Sequence, residues 1–290
     1  MSECNVAQLC DREIVRVSGS AARTFLQGLI TNDIDKAKPG SAIYAGLLTP
    51  QGKILFDFFV VPAEDGFLLD VANAKAAELM QRLGFYKLRA QVEIVEDPSF
   101  TVAASWESSP RLPEGAIAYA DPRLPALGHR ILLPAGTSVG SLACALATED
   151  EYNAKRIALG VPEGGSDYAY GDASPHEALF DQLAGVDFKK GCFVGQEVVS
   201  RMEHRSTARK RIVGVEGEGP LPPPGTEITA GGNPIGTLGS VSGASGLALL
   251  RLDRAEEAQA AGLPLRAGEV TIALRIPTWA RFKATAAATT

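Results

Sequence analysis

The sequence lacks the segments that would carry it into a membrane or across one. None of its 290 residues fall in a run of about 20 apolar side chains, which is the length that a bilayer-spanning helix needs. The first fifteen residues, MSECNVAQLCDREIV, have no basic start followed by a long apolar stretch, so they do not predict a signal peptide. These absences favour a cytoplasmic location or an equivalent compartment.

Cysteine is scarce and carries no pairing pattern. The four cysteines are Cys4, Cys10, Cys144 and Cys192. They form no CxxC motif and no Cys/His spacing typical of a zinc site. We therefore expect all four to be free thiols in a reducing compartment.

Several catalytic and cofactor motifs are also missing. The three histidines, at positions 129, 176 and 204, have no metal-ligand partner at short spacing. No GxGxxG or GxxxxGK[ST] loop follows a predicted strand, and no GxSxG elbow occurs. A Ser-His-Asp triad assembles in space, but nothing in the chain points to one. The sequence predicts neither a nucleotide-phosphate cradle nor a stably bound metal.

The net charge is small and negative. A formal charge of -6 argues against a general nucleic-acid coat protein. Residues 189–211 nevertheless hold seven Lys/Arg against two Glu. This local excess of positive charge fits either a solvated helix face or an anion-binding stretch.

The first two thirds of the chain mix strands and helices. A helix is expected after Ser20, which can cap it, with Phe25, Leu26, Leu29 and Ile30 as its apolar stripe. Residues 42–48 and 53–61 predict a hairpin around the turn at 49–52. Further strands are predicted at 13–17, 67–72, 89–95, 100–105 and 129–133, and helices at 74–83, 149–159 and 177–183.

A proline-rich boundary separates the C-terminal part. The segment EGPLPPPG stops any regular element, and short strands follow it at 227–229, 234–238, 247–252 and 269–276. Together with a strand at 210–215, they have the rhythm of a small β-barrel. We predict an α+β region over 1–208 made of two intertwined subdomains, a barrel over 209–283, and a disordered tail over 284–290.

The most informative segment is 187–205, DFKKGCFVGQEVVSRMEHR. Cys192 lies between glycines, behind Lys189 and Lys190, and just before a helix predicted at 196–204. The partial positive charge of a helix N-terminus and two nearby ammonium groups favour a thiolate. This setting suits a reactive or ligand-binding cysteine. The alternative is a small, buried apolar residue, as free cysteines usually are.

Two other polar clusters have plain structural interpretations. The run 85–89, FYKLR, joins a tyrosine to two cations where a helix ends, which complements the helix dipole. The run 174–177, SPHE, is typical of a helix entry with an acid in its first turn.

Taken together, six segments resemble one family. They are LQGLITNDI (26–34), LTPQGKILFDFFV (48–60), YKLRAQVEI (86–94), GVPEGGSDY (160–168), SPHEALFDQL (174–183) and KGCFVGQE (190–197). Their order and spacing look like the YgfZ-type proteins, relatives of the glycine cleavage T-protein, an aminomethyltransferase that uses tetrahydrofolate. The KGC[FY]xGQE element is specific to the YgfZ branch, which includes mitochondrial iron–sulfur assembly factors.

The resemblance implies an aminomethyltransferase-like ring of two α+β domains and a C-terminal barrel around a central channel that holds folate. It also implies a role in assembling or repairing iron–sulfur clusters, including those of tRNA-modifying enzymes. The match to the T-protein departs at two carboxylates. Gly84-Phe85 stands where an aspartate would precede Tyr86, and Ala158 replaces a glutamate. Both losses remove groups that could position or move a proton on folate.

The resemblance also nominates site residues. Tetrahydrofolate or a derivative is the expected cofactor, with five candidate ligands: Asn32, Asn73, Tyr86, Arg89 and Glu177. The motif residues are Lys190, Gly191, Cys192, Gly195, Gln196 and Glu197. Cys192 is the candidate catalytic thiol and a transient contact for a cluster. Gln196 and Glu197 are expected to fix the loop, with Arg201 pairing to Glu197 across one helical turn.

Three functions from different classes remain open. The first is a tetrahydrofolate-binding factor for iron–sulfur assembly or repair, with assembly proteins and cluster-dependent client enzymes as partners. The second is a folate-dependent aminomethyltransferase or other one-carbon transferase. The third is a scaffold whose basic stretch docks RNA or an acidic protein, although the acidic total charge disfavours nucleic acid. No membrane partner is expected.

Overall fold

A computed structural model describes residues 4–205 and 209–282. Within them the chain forms two compact units. The first unit contains residues up to Tyr152 together with Leu183–Gln196, and the second contains Asn153–Gln182 together with the residues from Glu197 onward. This division differs from the predicted boundary at 208/209, because residues 153–182 associate with the barrel in the second unit. The predicted tail, 284–290, lies outside the described residues.

The first unit contains ten strands. In chain order they are β1 (Asn5–Leu9), β2 (Arg12–Ser18), β3 (Ile43–Leu48), β4 (Ile54–Ala63), β5 (Gly66–Ala72), β6 (Glu93–Glu96), β7 (Phe100–Trp106), β8 (Ile117–Ala120), β9 (His129–Pro134) and β10 (Ala145–Leu146). They form two five-stranded sheets, β3-β4-β5-β2-β6 and β10-β1-β7-β9-β8. All neighbours are antiparallel except β1 and β10.

Two helices cover the first of these sheets. They are α1 (Ala22–Gln27) and α2 (Asn73–Lys87). Helix α2 buries Ala76, Leu79 and Leu83, whose spacing of three and four residues places them on one face. These side chains join the apolar residues of β2, β4 and β5 in one core. That core fixes the positions of the loops at the sheet edges.

The chain changes from the first unit to the second within α3 (Glu149–Leu159) and again at the start of α4 (Gln196–Arg205). The second unit then forms a closed six-stranded barrel with a helix beside it. Its elements are β11 (Lys210–Gly217), β12 (Glu227–Ala230), β13 (Asn233–Ser242), β14 (Ser245–Arg251), α5 (Leu252–Ala260), β15 (Leu265–Ala267) and β16 (Val270–Arg275). The barrel order is β11-β14-β13-β12-β15-β16. The predicted α+β class with a C-terminal barrel is confirmed.

Some local predictions were wrong. Ala21, not Ser20, precedes α1, and no side chain caps that helix. The expected helix at 177–183 is a series of turns. Cys4 and Cys144 form a disulfide, so they are not free thiols. Both stand directly before the paired residues of β1 and β10, and only this long-range strand pairing brings them together.

In the described ranges, no helix is long and apolar enough to cross a bilayer.

Candidate functional site around Cys192

The loop that follows α1 provides the base of the site. Its shape is held by Gln27, whose side-chain oxygen accepts from the Ile34 amide at 2.9 Å and whose amide nitrogen donates to Asp33 at 3.0 Å. Asp33 also accepts from the Asp35 amide and so caps a short 3-10 helix. Asn32 lies in the middle of this loop and is buried. These local bonds aim several main-chain carbonyls toward the same point.

Lys190 occupies that point. Its ammonium donates to the carbonyl oxygens of Gln27 at 2.8 Å, Ile30 at 2.6 Å and Asn32 at 3.0 Å. The side chain is buried, and burial lowers the pKa of Lys190 to about 8, although the nearby carboxylates of Asp33 and Asp187 act in the opposite direction. Three charge-assisted bonds therefore tie the KGC motif to the first unit. Lys190 thus acts as an anchor, a role that the sequence did not predict for it.

A second set of bonds lies just upstream. The Thr31 hydroxyl donates to the Gly185 carbonyl at 2.6 Å, and the Thr31 carbonyl accepts from the Asp187 amide at 3.0 Å. The Asp187 carboxylate pairs with Lys36 at 2.8 Å. Burial alone would raise the pKa of Asp187, but the Lys36 ammonium and the amides of Lys189 and Lys190 lower it below its ordinary value. Residues 185–190 are thus attached at both ends of the 31–36 loop.

Gly195 makes the third attachment. Its φ is +81°, and a Cβ placed there would lie 2.6 Å from the carbonyl oxygen of Thr49 and 3.1 Å from the Cα of Gly52. Only glycine allows this conformation and this close approach to the turn between β3 and β4. Gly191, by contrast, has open space around it and no positive φ. Glycine is therefore required at 195 and not at 191.

Cys192 is therefore an exposed thiol on a segment that these three sets of contacts fix in position. Its side chain is exposed, while Lys190 before it and Phe193 after it are buried. Helix α4 begins four residues later, at Gln196. The predicted pair on that helix is confirmed, because Arg201 lies 2.9 Å from Glu197. The prediction that Cys192 is accessible thus agrees with the structure, and the buried alternative does not.

A small cavity lies beside the same loop. It has a volume of about 230 Å³, and its lining includes Asn32, Lys36, Tyr44, Ala184 and Val186. Ligand pockets usually measure about 300–1,000 Å³, so this cavity suits a single ring system rather than a whole folate. Ala184 and Val186 belong to the segment that continues to Cys192.

Asn32 has its hydrogen-bonding groups committed to the protein. Its side-chain nitrogen donates to the carbonyls of Tyr44 at 2.8 Å and Ala184 at 2.7 Å. Its side-chain oxygen accepts from the Asp33 amide at 2.8 Å. Both amide hydrogens are therefore used to join the loop to the 184–190 segment. Asn32 is a positioning residue for that segment rather than a free recognition group.

Three other predicted folate ligands of the first unit, Asn73, Tyr86 and Arg89, do not line this cavity. Asn73 and Arg89 are exposed, and Tyr86 is packed against the core. Asn73 begins α2 and Tyr86 lies near its end, so they are about 20 Å apart at 1.5 Å per residue. Glu177 belongs to the second unit, where it accepts from the Ser174 amide at 2.7 Å in a capping arrangement. The bonds between Ser174 and Glu177 have the form of a helix cap, but no helix follows them, so the predicted helix entry at SPHE is wrong.

The sequence-based predictions missed a buried ionic cluster in the first unit. Asp70 on β5 has no solvent exposure and lies 2.7 Å from both Arg12 and Arg130. Burial alone would raise the pKa of Asp70, but the two guanidinium groups lower it below its ordinary value. The Tyr119 hydroxyl is also directed at Asp70, at 3.4 Å. The cluster is a buried, charge-compensated connection between the two sheets.

An aromatic ring lies among these arginines. The guanidinium carbons of Arg130 and Arg123 are 4.2 Å and 4.8 Å from the centroid of the Phe59 ring. Arg123 is paired with Asp121 at 2.7 Å. A desolvated guanidinium over an aromatic face is worth about 2 kcal/mol. The sequence contains one sign of this buried cluster. Asp57 and Asp70 each interrupt an otherwise apolar strand (ILFDFFV and FLLDVA).

Two domain families match parts of the chain. Residues 6–103 match the GCVT N-terminal domain, and residues 209–282 match the C-terminal beta-barrel domain of CAF17. A solved structure, the glycine cleavage system aminomethyltransferase T from Bartonella henselae, has the same fold. Its TM-score is 0.75 at 15% identity, over 96% of this chain and 87% of that one.

The chain is also similar to proteins named iron–sulfur cluster assembly factor IBA57, mitochondrial, or its homologues. It is 32% identical to the Homo sapiens protein over 94% of this chain and 84% of that protein. It is 34% identical to the Neurospora crassa protein over 72% of this chain and 52% of that protein. For the Mycosarcoma maydis protein the identity is 35%, over 73% and 57%. The chain spans about half the length of these two fungal relatives.

These names correct the predicted location. The relatives from Homo sapiens, Neurospora crassa and Mycosarcoma maydis are all named mitochondrial. The prediction of a cytoplasmic protein, which depended on an absent signal peptide and on cysteines assumed to be reduced, is therefore wrong.

Proposed function

The chain belongs to the family of IBA57 iron–sulfur cluster assembly factors, and from that premise we propose that Cys192 is its point of contact with a cluster in transit. The observation that carries this proposal is the exposed thiol, held between buried Lys190 and Phe193. An anchored backbone presents the sulfur at a defined place without covering it. The cluster is cargo here, supplied and received by other assembly proteins.

The chemistry required of Cys192 is ligand exchange. Clusters are commonly held by four cysteine thiolates, so one cysteine needs partner ligands. The Cys192 thiolate replaces one thiolate ligand at an iron atom, and the displaced thiol takes up the proton that Cys192 gives up. No electron is transferred in this step. The contacts of Lys190 and Gly195 hold the Cys192 backbone in place while the cluster is exchanged with a partner protein.

Replacing Cys192 tests the proposal in cells. Cells that lack the endogenous protein would be complemented with wild type, Cys192→Ser or Cys10→Ser, since Cys10 is the other exposed free cysteine of the described chain. Activities of several cluster-dependent enzymes would then be measured. We expect Cys192→Ser to restore less than a tenth of the wild-type activity and Cys10→Ser to restore all of it. Full activity with Cys192→Ser would end the proposal.

We also propose that the clients include cluster-dependent tRNA-modifying enzymes. The support is the resemblance of KGCFVGQE and the other segments to YgfZ-type proteins. In the same complemented cells, the level of a cluster-dependent tRNA modification should fall with Cys192→Ser in parallel with the other client activities. A normal level of modified tRNA beside reduced client enzymes would exclude this group of clients.

Folate binding is a further part of what we propose, and its support is the fold. Arg89 is exposed at the end of α2, and the described residues of the first unit do not bring the predicted ligands into one pocket. No step above depends on folate. The test is calorimetric titration with tetrahydrofolate of wild type, Arg89→Ala and, as a control, Arg82→Ala, an arginine on α2 seven residues earlier. We expect heat with wild type and Arg82→Ala only. No heat with wild type at millimolar folate would remove the cofactor.

A further inference from the structure

Three potential metal ligands lie together in the second unit, two of them before Cys192 in the sequence and one after it. They are His176, Asp181 and Glu203, and one ligand atom from each lies within 4.8 Å of the others. His176 Nε2 and Glu203 Oε2 are 3.0 Å apart. His176 and Asp181 come from the turns at 174–182, whereas Glu203 lies near the end of α4. The fold, rather than any short sequence spacing, brings them together.

The donor set suits a divalent transition metal. At Zn–N and Zn–O distances of 2.0–2.2 Å, two ligands of a tetrahedral ion are about 3.4 Å apart. The His176–Glu203 separation of 3.0 Å is close to that value. The separations that involve Asp181 are at most 4.8 Å. The Glu203 side chain is 45% exposed, so it has room to move toward that spacing. An imidazole nitrogen beside carboxylate oxygens favours zinc or a neighbouring ion over magnesium or calcium.

The surrounding hydrogen bonds orient two of the ligands. Arg211 donates to Asp181 Oδ1 at 2.9 Å and to the His176 carbonyl at 3.0 Å. Gln182 donates to Asp181 Oδ2 at 2.7 Å. Each carboxylate oxygen has a second lone pair, so Asp181 keeps the capacity to bind a metal. Outer partners of this kind are usual for metal-binding carboxylates.

The three side chains open on a cavity that admits an ion. Its volume is about 420 Å³, and its lining holds four carboxylates against three guanidinium groups. Asp253 and Glu256 supply the other two carboxylates of that lining. With three protein ligands and an open side, a tetrahedral ion would keep one position for water or an external ligand.

We propose that His176, Asp181 and Glu203 form a binding site for a divalent transition-metal ion, with Zn²⁺ as the favoured ion. The ion replaces the hydrogen bond between His176 Nε2 and Glu203 Oε2. It binds Nε2 through the lone pair of the neutral imidazole, whose proton stays on Nδ1. Bound in this way it joins α4 to the 174–182 turns. This site goes beyond the proposed function, because it uses neither Cys192 nor an iron–sulfur cluster.

The test measures Co²⁺ and Zn²⁺ binding to the purified full chain. Cobalt reports its ligands through visible absorption, and equilibrium dialysis gives the zinc stoichiometry. We expect one equivalent with wild type, and at least tenfold weaker binding with His176→Gln or Glu203→Gln. The matched control is Glu197→Gln, an exposed glutamate on the same helix. It should bind as wild type does.

A second measurement separates loss of the ligand from loss of the fold. Zinc should raise the melting temperature of wild type and Glu197→Gln, and should leave that of folded Glu203→Gln unchanged. Glu203→Gln is the variant of choice because its side chain is half exposed. Cys192→Ser should keep the metal. If binding follows Cys192 instead, or if Glu203→Gln binds zinc normally, the site is not where we place it.

Discussion

The Lys190 ammonium lies 2.6 Å from the carbonyl oxygen of Ile30, which ties the residue two before Cys192 to the loop after α1. The bond joins residues 160 positions apart in sequence. It converts a glycine-rich loop, which could otherwise sample many conformations, into a fixed support for one exposed thiol.

Removing the anchor should destabilise the protein and release the loop. Lys190→Met leaves three main-chain carbonyls without their ammonium partner. An unsatisfied buried polar group costs about 1–3 kcal/mol, so we expect a loss of about 3 kcal/mol in the free energy of unfolding. Urea denaturation measures it. Lys189→Met, at an exposed neighbour, should change the value by less than about 0.5 kcal/mol.

The same substitution should alter the chemistry of Cys192. In a Cys10→Ser background, so that one free exposed cysteine remains among the described residues, the rate of reaction with a thiol reagent reports on Cys192 alone. A loosened segment should change that rate in Lys190→Met and leave it unchanged in Lys189→Met. Equal rates in all three proteins would show that Lys190 does not hold the sulfur in place.

Gly195 and Gly191 form a matched pair. Gly195→Ala places a Cβ 2.6 Å from the Thr49 carbonyl at a φ of +81°, whereas Gly191→Ala meets nothing within 4 Å. Left-handed backbone strain alone costs a non-glycine residue about 1–3 kcal/mol. We expect Gly195→Ala to lower the free energy of unfolding by at least about 2 kcal/mol and Gly191→Ala to change it little. Similar losses in both variants would contradict the contact with the 49–52 turn.

The charge of Asp70 should make the stability of the folded protein fall at acidic pH. Its pKa is lowered in the folded protein, so its stabilising effect is present above the pKa of an unfolded aspartate, about 3.9, and is lost as pH falls through the lower folded value. Removing one partner of a buried pair costs about 3–5 kcal/mol. At pH 7 the free energy of unfolding of Asp70→Asn should therefore be lower than that of wild type by about 3–5 kcal/mol.

The difference between Asp70→Asn and wild type should shrink below about pH 4. Urea unfolding at a series of pH values measures it. Asp65→Asn is the control, because Asp65 pairs with Arg16 at an exposed position and should cost less than about 1 kcal/mol at any pH. A constant difference between wild type and Asp70→Asn from pH 7 to pH 3 would show that the charge of Asp70 is not the cause.

The disulfide should stabilise the N-terminal strand. The bond between Cys4 and Cys144 closes a loop of sequence separation 140. Disulfides of native domains typically contribute about 2–4 kcal/mol, chiefly by restricting the unfolded chain. Cys4→Ser with Cys144→Ser should lower the melting temperature of oxidised protein, and a reductant should do the same to wild type. Cys10→Ser should melt as wild type does under both conditions.

Local sequence patterns were sufficient for much of the fold. Apolar patterning placed the hairpin of β3 and β4, and the strand predicted at 210–215 placed β11, the first strand of the barrel, just before the proline run. The helix predicted between Glu149 and the glycine at 160 matches α3 (Glu149–Leu159). The helix predicted at 177–183 failed, because its SPHE start makes the capping bonds of Ser174 and Glu177 without a helix following them.

The amino-acid sequence by itself determined the class of fold and the position of Cys192 before a helix, because both depend on local patterns of residues that are neighbours in the chain. The need for glycine at 195 came from the tertiary structure, because it depends on the approach of the distant 49–52 turn. The tertiary structure alone decided that Lys190 is an anchor, that Cys4 bonds to Cys144 and that His176 meets Glu203. Charges and sulfurs interact over a few ångströms. Only the paired strands and packed turns bring groups that are tens or hundreds of residues apart within that distance.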